Sequence, residues 1–185
     1  MQGPKNGDEM PPISRTILAV ALIAVPGAVR AEELGRITAY LNGASTTWHT
    51  VTMQQGGRRV ATASFAQGAR LSELHVQGHP EPRFTTRDVF SVEVRYLGRY
   101  APGAVPLSVD VMHMPDGMGG PFWTSRGAGT APTVEINALE VWGNYGRLTA
   151  HFTAELCFLR IISSATDPEN CRAVTGLIET ELSVE

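Results

Sequence analysis

Hydrophobic and polar positions alternate along most of the chain after residue 32. Residues 37–41, 90–96 and 105–111 each place apolar side chains on one face and more polar ones on the other. Such alternation is typical of half-buried strands. Gly, Pro, Asn and Asp clusters separate these segments at short intervals, without helical periodicity between them. The pattern predicts an all-β fold, an antiparallel two-layer β-sandwich (Ig-like or related), with a β-barrel as the alternative.

A tight turn is predicted between the first two strands. Asn42-Gly43 stands between the alternating residues 37–41 and the segment 46–52. Asn-Gly supplies the two positive-φ residues that a two-residue hairpin turn requires. We therefore expect these two segments to pair as a β-hairpin.

The apolar run near the N-terminus has the layout of a secretory signal peptide. Residues 16–28 carry no charge, follow Arg15, and are too few for a membrane-spanning helix. Small residues at Val29 and Ala31 fit the positions before a cleavage site. We predict a signal peptide at residues 1–31, with Met10 as a possible true start, and a periplasmic or secreted mature protein. No stable membrane anchor is expected after cleavage.

Composition narrows the possible partners. The first 31 residues hold three of the 15 basic and two of the 18 acidic residues, which leaves residues 32–185 with a net charge of −4. Basic residues are scattered rather than clustered, which disfavours nucleic-acid binding. The remaining length predicts one β domain at residues 32–185. An unknown protein or small ligand of the cell envelope is the expected partner.

Two cysteines in an exported chain favour a disulfide, because such compartments oxidise thiols. Pairing Cys157 with Cys171 across two antiparallel strands fixes their register. The register places apolar residues opposite apolar ones and Phe152 opposite Gly176. The connecting loop, 158–170, contains a turn-prone run at Asp167–Asn170.

The segment 35–184 carries a pattern at each end. Gly35–Gly43 reads G-x-aliphatic-x-A-x-aliphatic-N-G, with Trp48 after it, and Gly146–Phe152 reads G-x-aliphatic-x-x-x-F ahead of a final strand at Val174–Val184. Both ends resemble a class of bacterial exported or lipoprotein β-sandwich domains of unknown function. The resemblance implies a fold and no activity. No lipid-acceptor cysteine is present, so the tether of the lipoprotein members is not expected.

Soft metal ligands are concentrated in one segment. Met112, His113, Met114 and Met118 lie within seven residues. Thioether and imidazole ligands suit copper in an oxidising compartment. On a strand, however, His113 points away from Met112 and Met114. Methionines that fill the core and an exposed histidine are the alternative interpretation. We therefore predict that the protein has no cofactor. Copper is the alternative, with these four residues as its candidate ligands.

The sequence contains no nucleophile elbow, zinc-protease helix or phosphate-binding loop. A non-catalytic module that binds a protein or ligand is therefore the leading hypothesis. A periplasmic copper-binding protein is the second and a hydrolase on a β-sandwich the third. The expected contact surface is the loop Met112–Arg126, where Phe122 and Trp123 lie between glycine and proline residues. The alternative for this aromatic pair is a plug over an open end of the fold.

Overall fold

The computed structural model describes residues 31–185, together with Gly3. The predicted signal peptide lies outside the described residues, apart from Gly3 and Ala31. The described chain contains eleven strands and no helix, which confirms the prediction of an all-β fold. The strands are β1 (Glu32–Leu41), β2 (Ala44–Gln55), β3 (Arg58–Ala61), β4 (Ala63–Gln67), β5 (Leu71–Gly78), β6 (Val89–Leu97), β7 (Ser108–Met114), β8 (Phe122–Thr124), β9 (Thr133–Trp142), β10 (Tyr145–Leu159) and β11 (Asp167–Val184).

All eleven strands belong to one hydrogen-bonded sheet. Its order is β3-β2-β1-β11-β4-β5-β6-β7-β8-β10-β9, and β10 also pairs with β11. The path from β11 through β4, β5, β6, β7, β8 and β10 therefore returns to β11. β9 continues the sheet from β10, and β1, β2 and β3 continue it from β11. One buried cluster draws side chains from β1, β2, β4 to β7, β10 and β11.

The first hairpin forms as the sequence predicts. β1 and β2 are antiparallel neighbours whose last pair is Leu41 with Ala44. Asn42 and Gly43 make the turn with φ of 54° and 82°. Both angles lie in the left-handed region, which Asn and Gly adopt more readily than other residues.

The β10–β11 register is also confirmed. Cys157 pairs with Cys171, and Phe152 pairs with Gly176. A Cβ on Gly176 would lie 2.4 Å from the Phe152 ring, so only glycine leaves room for that ring. Because a shift of one residue reverses every side chain on a strand, this pairing decides which face of β11 is buried.

The predicted turn at Asp167–Asn170 is wrong. These residues open β11, and Asp167 pairs with Phe158 directly beside the Cys157–Cys171 pair. Three residues, 168–170, are therefore extra on the β11 side and form a bulge. Polar, turn-prone residues fit such a bulge, because its backbone leaves the regular ladder.

One ladder departs from the predicted antiparallel arrangement. The end of β11 pairs with β4 in parallel, Ser183 with Ser64 and Val184 with Phe65. β11 is 18 residues long and its pairing with β1 stops at Thr180, so its last residues reach the edge of β4. The sheet is therefore mixed.

Candidate functional site

The two cysteines form the predicted disulfide. Cys157 is fully buried and also pairs with Thr124 of β8. The disulfide thus joins β10 to β11 at a position where β10 also pairs with β8. Glu155 lies near the two sulfurs, but both sulfurs are bonded to each other and neither is a free thiolate ligand for a metal ion.

The structure does not assemble the Met/His segment into one ligand set. His113 is 7% exposed and faces the interior. Met112 and Met114 are its neighbours along β7, so alternation points them to the other face. Met118 is 70% exposed on the following loop.

Both ring nitrogens of His113 are occupied by protein groups. Nε2 lies 2.7 Å from Oδ1 of Asp88, and Nδ1 lies 2.8 Å from Nη2 of Arg172. Arginine can only donate, so Nδ1 accepts and the imidazole carries its proton on Nε2. Burial lowers the pKa of His113, and this effect exceeds the opposing influence of Asp88. Neither nitrogen has a lone pair free for copper.

Asp88 connects this histidine to the core. Trp48 Nε1 donates a hydrogen bond to the same Oδ1 over 3.3 Å. The Asp88 backbone has a φ of 50° and its amide donates to the carbonyl of Pro115. Aspartate tolerates this conformation better than most residues. The Asp88 carboxylate therefore links Trp48 on β2 with His113 on β7, and Asp88 itself directly precedes β6.

Arg172 completes the network from β11. Its guanidinium stacks on the Trp123 ring at 3.8 Å, within cation–π range. Burial lowers the pKa of Arg172 to about 10, so the side chain stays charged at neutral pH. Its Nε is buried without a hydrogen-bond partner. The network of Asp88, His113 and Arg172 links the residue before β6 with β7 and β11.

Phe122 does not form part of an exposed surface, contrary to expectation. It is 1% exposed, and Trp123 is half-buried between Arg172 and the edge of Phe158, whose ring centroid is 5.6 Å away. The reason is that residues 122–124 form β8, which pairs with both β7 and β10. The pair thus belongs to a strand inside the sheet and not to a loop.

Sequence reasoning missed Asp88 and Arg172. Nothing in the local sequence separates Asp88 from other loop aspartates. Arg172 had a weak signal: the β10–β11 register places it on the same face as the buried Val174, so alternation points an arginine inward.

A trough made of two adjoining clefts opens beside the start of β7. Its first cleft, ≈ 530 Å³, runs between residues 105–109 and residues 131–134. Val105 is 86% exposed and Leu107 is 61% exposed. A second cleft, ≈ 350 Å³, continues along residues 134–136. We call the two clefts together the β7–β9 trough. Its members are Tyr96, Tyr100, Gly103–Val109 and Ala131–Ile136.

One wall of the trough follows the edge strand β9, and the other is formed by the segment 103–107 and the first residues of β7. Among the described strands, β9 pairs only with β10, so its other edge has no strand partner over all ten residues. β7 pairs with β8 only at Met112 and His113, which leaves the first half of β7 without a strand on that side. Backbone N–H and C=O groups on such edges are available to another chain.

Charge in the trough is predominantly negative. Glu135 lines the second cleft, and β9 contains no basic residue. Asp110, near the first cleft, is held by the Arg126 guanidinium at 2.7 Å. The segments 101–109 and 127–134 contain no charged residue. Among the described residues that line the two clefts, Glu135 is therefore the one that carries a charge.

No family model matches the chain, and no curated protein or solved structure shows significant similarity to it. Within residues 31–185, no helix is long and apolar enough to cross a membrane.

Proposed function

We propose that the protein is an exported, non-catalytic interaction module that binds its partner in the β7–β9 trough. The observation that carries the proposal is the exposure of Val105 and Leu107 beside a cleft of ≈ 530 Å³. Isolated apolar side chains on a surface are ordinary, whereas a recessed apolar strip beside a free sheet edge is typical of a recognition surface.

The trough replaces the loop 112–126 as the proposed contact surface. The aromatic residues of that loop are drawn into β8, and its histidine is engaged on both nitrogens. The trough residues, in contrast, have no partner within the described chain that covers Val105 or Leu107.

Export is the second part of the proposal. The apolar N-terminal run and the Cys157–Cys171 disulfide support it together, because structural disulfides persist in oxidising compartments. A periplasmic or secreted location is thus proposed for the protein in its mature form.

Nile red, an uncharged dye whose emission rises in apolar surroundings, tests the trough directly. We expect the protein to enhance its fluorescence, and Leu107→Asp to remove more than about half of that enhancement. Ile162→Asp is the matched control, because Ile162 is 66% exposed on the connection between β10 and β11. An equal or larger loss with Ile162→Asp contradicts the proposal, as does an unchanged signal with Leu107→Asp.

A further inference from the structure

We propose that the occupant of the β7–β9 trough is an extended peptide strand whose residues alternate between apolar and basic. This inference rests on the proposed function and adds the chemistry of the partner. A strand that adds to a free edge makes main-chain hydrogen bonds, while every second side chain enters the groove. The trough offers both features at one place.

The length of the trough suits a short strand. Its β9 wall, residues 131–136, covers six residues, which is about 20 Å of extended chain. Val134 is common to both clefts, so the trough is continuous along this wall. A peptide of about six residues can therefore contact its whole length.

Apolar side chains on one face of the peptide match the groove. Val105, Leu107 and Val109 lie on one wall, and Val134 and Ile136 lie on the other. Burial of the two most exposed side chains of this set, Val105 and Leu107, removes apolar surface from water, which favours binding. The second cleft, beside Tyr100 and the buried Tyr96, has a mainly polar lining, so the apolar match is with the first cleft.

Charge complementarity predicts which side chains occupy the other face of the peptide. Glu135 lies on the free edge strand within the trough, whereas Glu140 lies beyond residues 131–136 and opposite Arg147 of β10. A lysine or arginine of the peptide opposite Glu135 makes a favourable cross-strand pair. An acidic partner strand would place a like charge against Glu135.

A second copy of this chain fits the edge poorly. In the register that pairs all ten residues of β9 with the β9 of a copy, Glu135 falls opposite Glu140 at two places. Like charges directly opposite each other destabilise a strand pair. The observations therefore favour a basic, heterologous strand over edge-to-edge dimerisation.

The test uses a fluorescein-labelled hexapeptide of alternating lysine and valine, with capped ends, and the purified protein. We expect saturable binding by fluorescence anisotropy and displacement of Nile red. The matching hexapeptide of glutamate and valine should bind at least about tenfold more weakly. Glu135→Gln should weaken binding of the lysine peptide about two- to fivefold, whereas Glu169→Gln, on the β11 bulge, should leave it unchanged.

Two N-methylated peptides test the main-chain hydrogen bonds, one methylated at every valine and one at every lysine. At least one of them should lose binding, because each removes the donors along one edge of the strand. Equal binding of all three lysine peptides overturns strand addition, and equal binding of the lysine and glutamate peptides overturns the charge argument. A Nile red signal that depends on Leu107 but is not displaced by the lysine peptide overturns this inference and leaves the proposed function standing.

Discussion

Arg172 donates a hydrogen bond to Nδ1 of His113 over 2.8 Å, which holds the imidazole neutral. The two residues are 59 positions apart, and their contact joins β7 to β11. Because Nε2 donates to Asp88 at the same time, an added proton would have to displace the arginine. This arrangement makes the stability of the fold sensitive to acid.

The free energy of unfolding should decrease on acidification. Burial lowers the pKa of both His113 and His79 in the folded protein, so the unfolded chain binds more protons below its own pKa of about 6.5. Their contribution to stability is present above about pH 6.5 and is lost as the pH falls towards the folded pKa values. Urea denaturation at about pH 7.5 and pH 5.5 measures the change. His113→Asn should make the dependence shallower, because it removes one of the two buried imidazoles. A midpoint that is constant over this range contradicts the account.

Removal of the Arg172 charge should raise the pKa of His113. The guanidinium lowers that pKa by its positive charge and also occupies Nδ1. In Arg172→Met both effects are absent, while the side chain still packs on Trp123. NMR titration of the His113 ring protons measures the shift. Arg126→Met, which removes the charge bound to Asp110, is the matched control and should leave the His113 titration where it is. A His113 titration that is the same in Arg172→Met as in the wild type is incompatible with the network.

Gly176→Ala should destabilise the fold by about 1–3 kcal/mol, because a Cβ there meets the Phe152 ring in a packed core. Chemical denaturation followed by circular dichroism gives the free energy of unfolding. Gly129→Ala is the comparison, since its nearest heavy atom would be a carboxylate oxygen 3.5 Å away at ordinary contact distance. Equal stability of the two variants would mean that Phe152 does not lie over Gly176.

Loss of the disulfide should lower the free energy of unfolding by about 3 kcal/mol, the value expected for a loop with a 14-residue separation. Thermal unfolding of Cys157→Ser with Cys171→Ser, compared with the wild type, measures it. Thiol titration of the unfolded wild-type protein without reductant provides the control. Two titratable thiols in that experiment would show that the bond is not formed.

The sequence predicted the elements that depend on local or covalent constraints. The Asn42-Gly43 turn needs only two adjacent residues with positive φ, so the first hairpin followed from the pattern. The β10–β11 register followed from the cysteine pair, because the disulfide requires the two strands to face each other there.

Contacts between distant segments were not predictable in the same way. Phe122–Thr124 is too short for its alternation to be recognised, and it is a strand only because β7 and β10 pair with it on both sides. The β7–β9 trough depends on two strands that are not neighbours in the ladder order. The sequence shows that segment 105–109 is rich in apolar residues. It does not show that Val105 and Leu107 are exposed, because this depends on β8, which is too short to run beside them.

NMR titration of the ¹⁵N-labelled protein with the lysine–valine hexapeptide tests the central claim most directly. The account predicts that amide shifts concentrate at residues 131–136 and 105–109, the two walls of the trough. Amide shifts that concentrate at residues 112–126 instead, or their absence at saturating peptide, would contradict it.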